Sequence, residues 1–101
     1  GYTLLLGTAG LIAISPHVYA KLPYAFSDFA AVSLFASVPY VMAVPAALPV
    51  KDVREMVALS RSKPGWFNYA SSGNASAPHL CGEQLKLLTG ADMTHVPYKG
   101  G

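Results

Sequence analysis

The sequence is poor in charge and nearly free of cysteine. Charged residues make up 12% of the 101-residue chain, against 52% hydrophobic residues, and Cys81 is the single cysteine. A lone cysteine forms no disulfide within the chain, so cysteine usage leaves the redox compartment open. The seven basic residues are scattered and the net charge is only +2. Because no basic stripe is present, the sequence predicts no nucleic-acid partner.

Motifs for phosphate binding and for catalysis are also missing. The chain contains neither G-x-x-x-x-G-K-[ST] nor G-x-G-x-x-G, which argues against nucleotide binding, and no G-x-S-x-G elbow marks a serine nucleophile. His17, His79 and His95 show no triad order. His79 and Cys81 would point in divergent directions on a helix. We therefore expect structural roles for the histidines, no metal site and no cofactor.

A long charge-free stretch runs from residue 29 to residue 50. As one helix it would be long enough to span a bilayer. Pro39, Pro45 and Pro49 interrupt the stretch, and each proline removes a backbone donor and clashes with the preceding helical turn. We therefore expect no membrane insertion, and we interpret the stretch as buried strands separated by prolines.

Hydrophobic periodicity predicts a chain in which strands and helices alternate. Asp52 and Glu55 form a D-x-x-E capping box, and Lys63-Pro64-Gly65 ends the helix that follows. Strand, helix, strand, helix, strand is the order typical of right-handed crossovers and a mostly parallel sheet. The predicted strands are residues 2–6, 32–36, 40–44, 66–70 and 93–96, and the predicted helices are residues 52–62 and 78–89.

One face of each predicted helix is apolar. Leu80, Leu85, Leu87 and Leu88 supply the apolar side of the second helix, and Gly90 is its predicted stop. The first helix places four residues on its predicted buried face, which are Val53, Met56, Val57 and Ser60.

Two runs of small residues follow predicted strands. Ser71 to Ser76 lies between a strand and the start of a helix, where up to four backbone N–H groups are unpaired and the helix dipole favours an anion. Residues 7–10 form a turn after the first predicted strand, the end of a sheet where ligand loops lie in α/β proteins. A flexible loop capped by Ser76 is the structural alternative for the first run, and sequence spacing alone does not separate the two interpretations.

Several sequence blocks together resemble one family of transport receptors. The blocks are N-Y-A-S-S-G-N at 68–74, H-L at 79–80, G-E at 82–83, T-G at 89–90, D-M at 92–93 and H-V-P-Y-K-G at 95–100, with K-L-P-Y at 21–24 and L-P at 48–49 upstream. They are similar to the substrate-binding receptors of tripartite tricarboxylate transporters, also called Bug-type receptors. The resemblance covers nearly the whole chain.

The resemblance implies an α/β chain that is an internal fragment of a two-lobed periplasmic binding protein, type II-like, with mostly parallel sheets. On that basis residues 1–36 belong to the first lobe, and residues 37–101 contain the hinge crossing and part of the second lobe. The family's receptors are extracytoplasmic, so the resemblance also implies a periplasmic location.

The implied function is capture of a small carboxylate for the membrane subunits of a tripartite transporter, without chemical conversion. Members of the family bind their ligands largely through backbone amides and waters. Carried onto this sequence, the implied ligand-binding residues are Thr8, Ala9 and Gly10 from one lobe and Ser71, Ser72, Gly73, Asn74, Ala75 and Ser76 from the other.

Two other classes of function remain open from the sequence. An α/β enzyme would hold an anionic substrate at the helix start after Ser71 to Ser76, and its general base would be His79 or His95. An apolar interaction or membrane module would require residues 29–50 to be helical.

Overall fold

A computed structural model describes residues 2–100 of the chain. The described elements, in chain order, are a π-helical turn at Gly10–Ile14, helix α1 at Ser15–Val18, a 3-10 turn at Phe26–Asp28, helix α2 at Val53–Ser62, strand β1 at Phe67–Ser71, helix α3 at Ala77–Thr89 and strand β2 at Met93–Pro97. The segment between β1 and α3, residues 71–76, is called the β1–α3 loop below.

The cap of α2 confirms the predicted helix start. The Asp52 carboxylate accepts the N–H of Glu55 at 2.8 Å, which satisfies one of the orphan donors of the first turn. The Glu55 carboxylate accepts the N–H of Lys51 at 2.7 Å. In a capping box it would accept the N–H of the N-cap residue, here Asp52. Met56, Val57 and Ser60 are buried on the face that the periodicity predicts, whereas Val53, at the first position of the helix, is 47% exposed.

Both ends of α3 follow the local chemistry of the sequence. Ser76 is the N-cap, and its hydroxyl accepts the N–H of His79 at 3.3 Å. Gly90 ends the helix with φ of 70°, a left-handed conformation that glycine adopts without strain, and donates its N–H to the carbonyl of Lys86 at 2.9 Å. The predicted helix over residues 78–89 is therefore confirmed, and it begins one residue earlier.

β1 and β2 form a parallel pair, with Phe67 opposite Met93 and Ser71 opposite Pro97. Parallel strands that follow one another need a crossover connection, and α3 provides it. The core of this β1–α3–β2 unit and α2 consists of the buried residues Met56, Val57, Ala91 and Met93, with Val50, Phe67, Tyr69 and Leu85 packed around them. The predicted α/β class is confirmed, with a small parallel sheet.

A buried serine ties the end of α2 to the start of β2. Ser60 is fully buried, and its hydroxyl accepts the N–H of Asp92 at 3.2 Å while donating to the carbonyl of Val57 at 2.8 Å. The Asp92 carboxylate in turn accepts the N–H of Gly65 at 3.0 Å. Each polar group is satisfied, so this contact fixes the distance between the two elements without a buried unpaired atom.

The strands predicted at residues 2–6, 32–36 and 40–44 are wrong in the described structure. Within residues 2–100 the sheet contains only β1 and β2, and these three segments carry no regular secondary structure. Their apolar side chains are exposed, for example Leu34 at 85% and Phe35 at 82%. A strand forms only when a neighbouring strand pairs its backbone groups, and in residues 2–100 no other segment pairs with these.

The apolar side predicted for α3 is correct only in part. Leu85 packs against the core, whereas Leu80, Leu87 and Leu88 are exposed. The described residues cover only the face of α3 that turns toward β1. Residues 29–50 contain no helix, so an apolar helical module in this stretch is not formed, and among the described residues no helix has the length and apolar character needed to cross a bilayer.

Gly82 generates a prediction about the packing of α3 on β1. A Cβ atom at Gly82 would lie 2.5 Å from Cζ of Tyr69, inside the ring's contact distance. We expect Gly82→Ala to lower the free energy of unfolding by about 1–3 kcal/mol, the usual cost of overpacking. Helix propensity alone would raise it by roughly 0.5–1 kcal/mol, so the sign of the change is diagnostic. Urea unfolding measures the difference.

Leu87→Ala is the matched control for that experiment. It lies on the same helix with 85% of the residue exposed, and we expect a change within about 0.5 kcal/mol. A Gly82→Ala protein as stable as the wild type, or more stable, would contradict the contact between α3 and the Tyr69 ring.

Candidate functional site

The β1–α3 loop turns the chain sharply from the strand into the helix. Gly73 has φ of 147° and Ala75 has φ of 61°, and Ala75 is the only non-glycine residue with positive φ among the described residues. Left-handed backbone is unfavourable for alanine, so neighbouring contacts must hold it there. The conformation of this loop is therefore determined by its surroundings and not by local propensity.

Two serine hydroxyls close the loop on itself. Ser71 accepts the N–H of Gly73 at 3.2 Å and lies 3.1 Å from the carbonyl oxygen of the same residue. Ser76 donates to the carbonyl of Gly73 at 2.7 Å. Both side chains bond backbone groups of Gly73, so hydrogen bonds within the loop hold it as a closed turn.

A histidine side chain holds the left-handed residue. The N–H of Ala75 donates to Nδ1 of His79 at 3.1 Å. Ala75 is buried and His79 is partly buried. In a neutral imidazole one ring nitrogen accepts and the other carries the proton, so this bond places the proton of His79 on Nε2.

Three backbone donors of the loop region, those of Ser72, Asn74 and Ala77, have no acceptor among the described residues, and the last two lie at the start of α3. Asn74 is exposed, and Ala77 is the first residue of α3, where helix geometry leaves the N–H without an internal acceptor. Both donors lie beside the positive end of the helix dipole.

The second predicted segment, Thr8 to Gly10, lies against this loop. A Cβ atom at Gly10 would be 3.2 Å from the carbonyl oxygen of Ala75, so the backbones of the two segments approach closely. Tyr19, just beyond α1, donates to the carbonyl of Asn74 at 3.4 Å. Segments about 65 residues apart in the sequence are thus brought together.

The nine predicted residues differ in accessibility. Thr8 and Ala9 are exposed, and the Thr8 hydroxyl accepts the N–H of Leu11 at 3.4 Å at the start of the π-helical turn. In the loop, Ser71 and Ala75 are buried and hold the turn in place. The members of the β1–α3 loop that are exposed or partly exposed are Ser72, Gly73, Asn74 and Ser76.

A stack of rings lies directly beneath the loop. The imidazoles of His79 and His95 are parallel with centroids 3.8 Å apart, and the Tyr69 ring lies 5.0 Å from His95. Nε2 of His95 is 2.6 Å from the hydroxyl of Ser71. Burial holds the pKa of His95 below its usual range, and the neighbouring His79 acts in the same direction.

Tyr69 also links β1 to α3 through a carboxylate. Its hydroxyl donates to Glu83 at 2.6 Å, and Glu83 accepts from Lys86 at 3.3 Å. Burial, followed by the bond to Glu83, raises the pKa of Tyr69. The same hydrogen bond is the main cause that lowers the pKa of Glu83.

The sequence predicted structural roles for His79 and His95, or the role of general base in the enzyme alternative, and it did not predict their contact. Strand alternation offered one signal, because Tyr69 and Ser71 are two residues apart and so share a face of β1, and His95 pairs with Tyr69 in the register. The position of His79 depends on how α3 packs on that face, which periodicity does not fix.

An apolar groove lies elsewhere on the chain. It has a volume of about 860 Å³ and runs between residues 40–45, β1 and α3, and none of the nine predicted site residues lines it. Its walls are mainly aliphatic and aromatic. Within residues 2–100, no three His, Cys, Asp or Glu side chains come together as metal ligands do.

Comparison with known proteins defines the class to which this chain belongs. A family model described as "Tripartite tricarboxylate transporter family receptor" matches residues 1–101. The chain therefore belongs to the tripartite tricarboxylate transporter receptor family, and the resemblance in its sequence blocks is confirmed.

Individual relatives agree with the family model. The chain is 33% identical over 101 residues to a UPF0065 protein in the tcbD-tcbE intergenic region of Pseudomonas sp., covering 99% of this chain and 30% of the relative. It is 31% identical over 102 residues to Protein BugT of Bordetella pertussis, covering 99% and 31%. A UPF0065 protein of the same organism is 30% identical over 100 residues, with 99% and 31% covered. The chain spans just under a third of the length of these relatives.

The bond between Tyr69 and Glu83 generates a pH-dependent prediction. We expect Tyr69→Phe to lower the free energy of unfolding by about 1 kcal/mol at pH 7. The Glu83 side chain is 44% exposed, so solvent screening keeps the stabilisation near the lower end of the range for a hydrogen bond to a charged acceptor. Because the pKa of Glu83 is lower in the folded state than its ordinary 4.5, this stabilisation is present above that pH and is lost as pH falls through the folded value.

Urea unfolding of wild type and Tyr69→Phe at pH 7 and at about pH 3.5, below that ordinary value, tests the dependence. Glu83→Gln is the control, because an amide oxygen accepts the same bond without titrating. A Tyr69→Phe effect that is equally large at both pH values would contradict the role of the ionised carboxylate.

Proposed function

We propose that this chain forms part of an extracytoplasmic solute-binding receptor that captures a small carboxylate for a tripartite transporter and does not convert it chemically. The proposal joins the family membership to the two segments that meet at Ala75. In this proposal residues 1–36 contribute to the first lobe, residues 37–101 contain the hinge crossing and part of the second lobe, and the partners are the membrane subunits of the transporter.

The observation that carries the proposal is the set of unused backbone donors at the contact between the two segments. Asn74 and Ala77 present N–H groups at the start of α3, where Gly10 approaches the loop. A carboxylate that accepts two such bonds gains roughly 1.5–3 kcal/mol from each, and the helix dipole adds about 0.3–1 kcal/mol. Together with shape complementarity, these terms support binding near the micromolar range, which needs about 8 kcal/mol.

The ligand-binding residues in this proposal are the nine that the sequence predicts. The exposed residues Thr8, Ala9, Ser72 and Asn74 would face the ligand. The buried residues Ser71 and Ala75 would hold the turn, and Gly10, Gly73 and Ser76 would let the two backbones approach.

One contact favours the enzyme alternative. Ser71 and His95 lie 2.6 Å apart, the distance expected of a nucleophile and its general base. Ser71 is only 6% exposed, however, and its hydroxyl already bonds both the N–H and the carbonyl of Gly73. No carboxylate bonds to His95 among the described residues. The pair therefore supports the loop better than it supports hydrolysis.

A thermal-shift screen of the whole receptor that carries this chain, against a panel of small carboxylates, tests the proposal. A ligand at about 100 times its Kd stabilises the folded state by roughly 2.7 kcal/mol, which raises Tm by several degrees. We expect one or a few acids to do so in the wild type. Gly73→Pro should abolish the shift, because proline fixes φ near −65° and lacks the N–H that bonds Ser71.

Arg54→Gln is the matched control, because Arg54 lies on the exposed face of α2 and the proposed site uses no charged side chain. Its thermal shift should equal that of the wild type. The stabilising acid should be recovered unchanged after prolonged incubation. No shift with any acid, or conversion of the acid, would contradict the receptor proposal, and conversion would favour the enzyme.

A further inference from the structure

The hydrogen bond between Ala75 and His79 sets the shape of the proposed ligand loop. Ala75 is buried at 4% exposure with φ of 61°, and its N–H points to Nδ1 of His79 at 3.1 Å. Without that acceptor, a buried donor in an unfavourable backbone conformation would have no partner. The unused N–H groups of Asn74 and Ala77 lie on either side of this residue, so their directions depend on it.

His79 is itself held in place by its neighbours. Its ring stacks on His95 at 3.8 Å with an angle of 4° between the planes, and Nε2 of His95 contacts the hydroxyl of Ser71 at 2.6 Å. Ser71 in turn accepts the N–H of Gly73 and donates to its carbonyl. The two imidazoles thus contact the loop at both of its ends, and neither is needed to touch a ligand.

We propose that His79 and His95 are positioning residues that hold the β1–α3 loop in its ligand-binding shape only while both rings are neutral. The inference rests on the proposed function, and it adds to it a dependence of ligand affinity on pH.

The stack and the acceptor explain why the rings must be neutral. An imidazolium has donors on both nitrogens and no acceptor, so protonation of His79 removes the bond to Ala75. The resulting charge would lie against the parallel ring of His95 and at the positive end of the α3 dipole, both unfavourable positions for a cation. Losing the bond frees Ala75 to leave its left-handed conformation.

Other charged and titratable groups face this pair. The Tyr69 ring, on β1, lies beside His95. The Glu83 carboxylate and the Lys86 ammonium, on α3, are near enough to His95 to influence its pKa. Glu83 favours the charged imidazole, whereas Lys86 and the second histidine disfavour it. Burial is the largest of the causes that lower the pKa of His95, so its ring stays neutral to a lower pH than an ordinary histidine and the loop shape is expected to be lost only on acidification.

Ligand affinity of the whole receptor, measured by calorimetry between pH 7.5 and 5.5 with an acid found in the thermal-shift screen, tests the inference. We expect the wild-type Kd to rise roughly tenfold across that range, as loss of one such bond predicts. His79→Leu should be weaker by about the same factor already at pH 7.5. His79→Asn, whose side-chain oxygen occupies the place of Nδ1, should recover most of that affinity and show a flat pH profile.

His17→Asn is the matched histidine control, because His17 lies on α1 outside the stack, and it should keep the wild-type profile. The His79→Asn profile also corrects for ionisation of the ligand itself. Equal affinity of His79→Leu and wild type would overturn the inference. So would a Kd that falls on acidification, since the charge would then act directly on the anion.

Nitrogen-15 NMR of the histidine side chains, recorded without ligand, separates this inference from the proposed function. At pH 7.5 we expect His79 to carry its proton on Nε2, with an unprotonated Nδ1, and the Ala75 amide to shift as the ring is protonated. That pattern in a receptor that binds no carboxylate would support the positioning role and contradict the receptor proposal. A proton on Nδ1 at pH 7.5 would overturn the positioning role whatever the receptor binds.

Discussion

The parallel pairing of β1 with β2 is the constraint on which the rest of the structure depends. Two consecutive parallel strands need a crossover, and α3 is that crossover. It must leave the carboxyl end of β1 and return over the sheet, so the β1–α3 loop lies at the sheet's carboxyl edge. Gly82 lets α3 pack on the Tyr69 ring, and this close packing brings His79 over His95.

The same arrangement places polar backbone groups where an anion can use them without a charged side chain. The Ser71 hydroxyl accepts the N–H of Gly73 and His79 accepts that of Ala75, which leaves the N–H groups of Ser72, Asn74 and Ala77 without an acceptor among the described residues. A site of this kind recognises the carboxylate group and leaves the remainder of a ligand to other contacts.

Local chemistry made part of this fold predictable. The helix caps at Asp52 and Gly90 depend only on residues close to them in the sequence, as does the strand-helix-strand order. These features could therefore be predicted, and the structure confirms them. Strands at 32–36 and 40–44 depend on a partner that periodicity does not identify, and in residues 2–100 they are not formed. Family resemblance implied only that residues 8–10 and 71–76 face one ligand, and it did not predict the close approach of Gly10 to Ala75. The left-handed Ala75 and the histidine stack arise from tertiary contacts, which no local pattern in the sequence records.

A crystal structure of the whole receptor with a bound carboxylate tests the central claim most directly. The account predicts carboxylate oxygens within about 3 Å of the amide nitrogens of Asn74 and Ala77, with Ala75 still bonded to Nδ1 of His79. A ligand held instead by charged side chains, or bound in the apolar groove beside residues 40–45, would contradict it.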